Sequence, residues 1–129
     1  LPQGGKGRQP HVLMAEDNDI NAKVLSALLE GVGCSVIWAR NGEEALSLAN
    51  QESFDLAFVD LRMPVLDGQG FTRVYREQES EGEHLPIIAL TANTASETRD
   101  QCIQLGMDEF LAKPVDSQRL KEVVDRFTS

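Results

Sequence analysis

"AFVDLRMPVLDG", residues 57–68, sets how the whole chain is read. Leu56 to Val59 form a short apolar run of the kind that fills a buried strand, and the run ends on a carboxylate, Asp60. Behind it come Pro64, Asp67 and Gly68, residue types that stop a strand and open a turn or a helix. An acid at the end of a buried strand either caps the next turn of chain or carries chemistry, and the neighbouring segments decide between the two.

Upstream, "HVLMAE" (11–16) is another apolar run that closes on acid, Glu16 with Asp17 behind it, and "SVIWA" (35–39) is a third run. Downstream, "PIIAL" (86–90) starts at Pro86, where a missing N–H is tolerated at the first residue of a strand, and "EFLA" (109–112) is the fifth. Helical segments lie between them. "NDINAKVLSALLEGVG" (18–33) sets Asn21, Val24, Leu25, Leu28 and Leu29 on one face, with Asn18 or Asp19 as the cap and glycines as the stop. Further helices are predicted from Glu43 to Gln51, from about Gln69 to Glu79, from Ala95 to Leu105, and through Leu120, Val123, Val124 and Phe127, whose spacing marks an amphipathic stripe.

Strand–helix units in this alternation predict an α/β domain, a three-layer (βα)5 sandwich with a parallel five-stranded sheet and right-handed crossovers. Such sheets bind ligands beyond the carboxyl ends of their strands, where the strand order reverses. There stand Glu16 and Asp17 after the first strand, Asp60 after the third, Thr91 after the fourth and Lys113 after the fifth. Clustered carboxylates repel unless a cation joins them, and hard oxygen donors suit Mg²⁺, or Mn²⁺ in its place. A metal, an ammonium, a hydroxyl and a carboxylate able to attack are the parts of phosphoryl transfer to a side chain, with Asp60 as the acceptor. Taken singly, each residue has a plainer explanation: a capping acid, a capping hydroxyl, a solvated lysine. Their convergence favours the chemical reading.

Composition narrows the classes further. The 129 residues suit one domain with a core of its own, and 41% hydrophobic with 26% charged residues is ordinary for a folded chain. The net charge of -9 repels phosphate backbones and anionic lipid, so direct nucleic-acid binding and membrane contact are not expected. Cys34 and Cys102 lack CxxC spacing and read as reduced, buried thiols. No segment approaches the roughly 18 consecutive apolar residues of a membrane span, and a cytoplasmic location is expected, for the domain itself or for the cytoplasmic part of a membrane-bound parent. "LPQGGKGRQP" (1–10) reads as a linker or cloning remnant, leaving 11–129 as the domain.

Together "AEDN" (15–18), "VDLRMPVLDG" (59–68), "ALTANT" (89–94) and "GMDEFLAKPV" (106–115) resemble the receiver domain of two-component response regulators over residues 11 to 127. "AEDNDIN" and "LTANT" are most similar to receivers fused to hybrid sensor histidine kinases. The resemblance implies a flavodoxin-like fold with strand order 2-1-3-4-5 and an aspartyl-phosphate switch. It assigns Asp60 as phosphoacceptor, and Glu16, Asp17, Asp60 and the main-chain carbonyl of Arg62 as the Mg²⁺ site. Thr91 is then the switch hydroxyl, Lys113 the ion-pair partner, Phe110 the switch aromatic, and the bond before Pro114 cis. The implied partners are a histidine kinase domain or a histidine phosphotransfer protein. Such a domain catalyses its own phosphorylation and dephosphorylation, and the Arg62 side chain, beside the acceptor, is expected to modulate the phosphate's lifetime.

Rival classes fit less well. An aspartyl phosphatase of the halo-acid dehalogenase type carries a second acid two residues after its nucleophile, where this chain has Arg62. No GxGxxG or GxxxxGK[ST] follows the first strand, against a nucleotide-binding enzyme. A pseudo-receiver acting only as a protein-binding module typically lacks the acceptor or the acidic pair, and both are here. Ile20, at the start of the first helix, suits either core packing or partner docking.

Overall fold

Residues on the central strands alternate between two apolar layers, as the period of two along a strand requires. A computed structural model describes residues 9–92 and 96–128, the side chain of Ser96 apart. Among the described residues, β1 (His11–Ala15), β2 (Ser35–Ala39), β3 (Leu56–Asp60), β4 (Ile87–Thr91) and β5 (Glu109–Ala112) alternate with α1 (Asp19–Gly31), α2 (Gly42–Gln51), α3 (Gly68–Gln78), α4 (Ser96–Leu105) and α5 (Ser117–Thr128). The strands pair in parallel in the order β2-β1-β3-β4-β5, as the resemblance implied. Most of the 1–10 linker expectation, Asn93 and Thr94 of "ALTANT", and the helix start at Ala95 lie outside the described residues.

Val12, Met14, Phe58 and Leu90 face α1 and α5, packed against Leu25, Leu29, Leu120 and Val123. Leu13, Val59, Ile87 and Ala89 face the other way, toward Phe71 of α3 and Cys102 of α4. All residues of β3 and β4 are buried, because helices cover both faces of the sheet. The helix starts are set by short polar caps: Asn18, Asn41 and Asp67 each accept from the amide three residues on. Both cysteines are buried and free.

Two local expectations are corrected. The buried stripe of α1 is Ala22, Leu25 and Leu29, while Asn21 and Val24 are exposed and Leu28 is half-buried. Side-chain size alone does not mark the inner face here: the small Ala22 lies on it with Leu25 and Leu29, while the larger Val24 points to solvent. The fourth strand starts at Ile87, after Pro86, whose carbonyl accepts from Ala57 at 2.9 Å but which has no N–H to give.

Candidate functional site

Three main-chain amides carry the ladder one residue past the strands and so fix the functional side chains. Glu16 donates to the Ala39 carbonyl at 3.0 Å, Leu61 to Leu90 at 3.0 Å, and Lys113 to Thr91 at 2.9 Å. Glu16 and Asp17 therefore stand at the end of β1 and Asp60 at the end of β3, on either side of the point where the strand order reverses. Thr91, buried, ends β4 one residue beyond Leu90, the register partner of Asp60. The Lys113–Pro114 peptide is cis, as expected.

Carboxylate oxygens of Glu16, Asp17 and Asp60 all lie within 4.8 Å of one another, the first and last residue buried and Asp17 exposed. Lys113 Nζ reaches between the buried pair, 2.5 Å from Asp60 Oδ2 and 3.2 Å from Glu16 Oε1. The remaining oxygens accept from the main chain: Asp60 Oδ1 from Arg62 N–H at 2.9 Å and Glu16 Oε2 from Asn18 N–H at 3.2 Å. Burial pushes the Glu16 carboxyl above its ordinary range, the Asn18 amide opposes this, and the neighbouring Asp60 charge adds to the rise. Burial also disfavours the Lys113 ammonium, but the hydrogen bonds and charges of Asp60 and Glu16 outweigh it and hold the pKa above the usual lysine value. This donor set of clustered carboxylates, one of them open to solvent, fits a hard divalent cation that keeps water ligands.

The loop after β3 is held tightly. Leu66 N–H donates back to the Pro64 carbonyl at 2.7 Å, a γ-turn with Val65 at its centre and φ of 69°. Gly42 N–H, at the start of α2, donates to the Leu66 carbonyl at 2.9 Å. Gly68 packs so closely under the end of β3 that a Cβ there would stand 2.5 Å from the Asp60 carbonyl oxygen. That residue reads in sequence as a plain turn and helix start; its lack of a side chain is what seats α3 beneath the acceptor.

Arg62 is exposed and lines a shallow depression of about 530 Å³ with Asp17, Met63 and Pro64. Phe110 is half-buried on β5 and packs on the core layer that faces α3 and α4. Ile20 is 73% exposed, which decides against core packing. Sequence reasoning misses two contributors: the Asn18 amide, which it sees only as part of a cap, and Trp38, whose indole N–H donates to the Glu16 carbonyl at 2.7 Å. Nothing near Trp38 in the sequence signals that contact, because it is made across two strands.

A doubly wound parallel sheet with an acid cluster and a lysine at its switch point defines an α/β domain whose polar site lies where such sheets bind their ligands. The family model for the response regulator receiver domain matches residues 12–125. The chain is 40% identical over 123 residues to the sensor histidine kinase GacS of Pseudomonas protegens, covering 94% of this chain and 13% of that protein. Among solved structures it is similar to the receiver domain of the sensor histidine kinase PA1611 from Pseudomonas aeruginosa, which holds magnesium in its active-site cleft (TM-score 0.85, 36% identity, covering 94% of this chain and 98% of that one). It is also similar to a chain in the co-crystal structure of the Saccharomyces cerevisiae histidine phosphotransfer protein Ypd1 with the receiver domain of its downstream response regulator Ssk1 (TM-score 0.85, 27% identity, 93% and 89% covered). The chain belongs to the response regulator receiver domain family. Among the described residues, no helix is long and apolar enough to cross a membrane.

Proposed function

We propose that this receiver domain, spanning residues 11–129, takes a phosphoryl group onto Asp60 from a phosphohistidine of a histidine kinase or histidine phosphotransfer protein. The observation that carries this is Lys113 Nζ held between Asp60 and Glu16, with Asp17 alongside, at the switch point of the sheet. An Asp60 carboxylate oxygen forms a bond to phosphorus while the P–N bond breaks, giving an acyl phosphate, and the imidazole leaves with the electron pair of the broken bond. Glu16, Asp17, Asp60 and the Arg62 carbonyl would hold Mg²⁺, which neutralises charge on the transferring group. Lys113 keeps the acceptor oriented in the resting state and is the cation available to a phosphoryl oxygen once Asp60 is phosphorylated. Thr91 supplies the hydroxyl that turns toward the new anion, and Phe110, without a phenol, follows by packing alone. One new set of charge-assisted contacts then biases two conformations of the β4–β5 side.

Ile20 and Val24, exposed on the first turns of α1 beside the acidic loop, suit an apolar partner surface that must come close to Asp60. The similarity to a sensor histidine kinase, of which this chain matches a small part, supports a kinase parent, and we infer a cytoplasmic location for this domain, by itself or as the cytoplasmic part of a membrane-bound parent.

Intact-mass measurement after incubation with Mg²⁺ and acetyl phosphate tests the proposal. A gain of about 80 Da, one phosphoryl group as an acyl phosphate, is expected for wild type and not for Asp60→Asn. No gain in either protein, with label also refused from a phosphohistidine donor, would point to a binding module instead.

A further inference from the structure

The acidic loop between β1 and α1 is gripped from outside by two residues of the edge strand and the turn after it. The Glu16 peptide group is tied twice to that side: its N–H donates to the Ala39 carbonyl at 3.0 Å, and its C=O accepts from Trp38 Nε1 at 2.7 Å. That carbonyl belongs to the peptide joining Glu16 to Asp17, so the indole sets the plane from which the Asp17 side chain projects. Arg40 lies over the same indole, its guanidinium carbon 4.2 Å from the ring centroid, and its Nη1 pairs with Asp19 Oδ1 at 2.9 Å. Trp38 and Arg40 thus hold both flanks of the stretch that carries Asp17, the exposed member of the cluster.

We infer that Trp38, with Arg40 stacked on it, is a positioning residue for the metal site, holding the Glu16–Asp17 peptide so that Asp17 is pre-set as a cation ligand. Asp60 and Glu16 do not need this help, since Lys113 and main-chain amides already orient them. Asp17 is exposed, and an unrestrained exposed carboxylate must lose its freedom each time a cation binds. Groups behind metal ligands act in this way elsewhere, their removal weakening binding by about 10- to 100-fold. The inference rests on the metal site proposed above.

Mn²⁺ binding by the whole chain, followed by electron paramagnetic resonance, tests it. Binding by wild type tests the metal site itself; if wild type does not bind, that proposal fails, whatever the variants do. Trp38→Phe keeps an aromatic ring under Arg40 and removes the N–H together with the five-membered part of the indole, and its Mn²⁺ dissociation constant is expected to rise about tenfold. The rate of phosphorylation from acetyl phosphate should recover to that of wild type at saturating Mg²⁺, a split that a general loosening of the fold would not produce. Wild-type affinity in a folded Trp38→Phe, or a rate that stays low at saturating Mg²⁺, overturns the inference. Should Trp38→Phe not fold, Arg40→Gln decides, because its position is exposed. Loss of a positive charge beside a cation site would by itself tighten binding, so weaker binding supports the bracket and equal or tighter binding overturns it.

Discussion

Lys113 and Asp60, 53 positions apart in the chain, meet at 2.5 Å with their side chains largely withdrawn from water. The lysine also reaches Glu16, so one ammonium compensates two buried carboxylates. Removing it leaves those charges unpaired. Because the Lys113 side chain is 24% exposed, the loss for Lys113→Met in chelator is expected near 2 kcal/mol, below the 3–5 typical of fully buried pairs. Urea unfolding measures it, and added Mg²⁺ should restore part of the loss. Wild-type stability in chelator would mean that water already compensates the acids.

Arg62 offers its amide to Asp60 and its side chain to solvent at the mouth of the site. A guanidinium there can pair with a phosphoryl oxygen and stand in the way of attacking water. Arg62→Ala is expected to shorten the phosphoaspartate half-life about two- to fivefold, the worth of one exposed ion pair. Time-resolved intact mass after removal of the phosphodonor gives the rate, and an unchanged half-life removes Arg62 from the mechanism.

Val65 is β-branched, 73% exposed and at positive φ, so it has little packing to lose and strain to relieve. Val65→Gly, which has no Cβ to clash at positive φ in such a turn, should raise stability by about 1 kcal/mol. Thermal or urea unfolding would show it as a shifted midpoint with an unchanged slope.

Gly68→Ala forces a methyl group against the Asp60 carbonyl and is expected to cost about 1–3 kcal/mol, together with slower acyl-phosphate formation as the acceptor shifts. Gly31→Ala is the control. A Cβ at Gly31 meets nothing within 4 Å. That change should be neutral or stabilise by about 0.5 kcal/mol, with phosphorylation untouched.

Burial, and then the charges of Asp125 and Asp55, push the Cys34 thiol from 9.0 up to about 11. The folded state therefore holds this proton more tightly than the unfolded chain does. The corresponding stability is fully present below about pH 9 and is lost as the pH climbs toward 11, roughly 2–3 kcal/mol in all. Urea midpoints measured across that window should fall more steeply for wild type than for Cys34→Ala. Iodoacetamide at pH 8 should label neither cysteine until the protein unfolds.

The order of strands and helices, the position of each acid at a strand end, a cap at Asn18 or Asp19 and a helix start at Asp67 and Gly68 were legible in the sequence. Those features are local: period-two apolar runs, short polar caps and Pro/Gly breaks each act within a few residues. The same locality limits the reading of α1, where side-chain size alone favours Val24 over Ala22, and of Gly68, whose role is contact with a residue eight positions earlier. Tertiary structure alone decided that Lys113 bridges Glu16 and Asp60, that Ile20 is left to solvent, and that Trp38 grips the acidic loop. Each of these depends on which strands become neighbours and how far apart their ends lie. That is fixed only when both apolar layers close on the sheet, so no spacing along the chain can encode it.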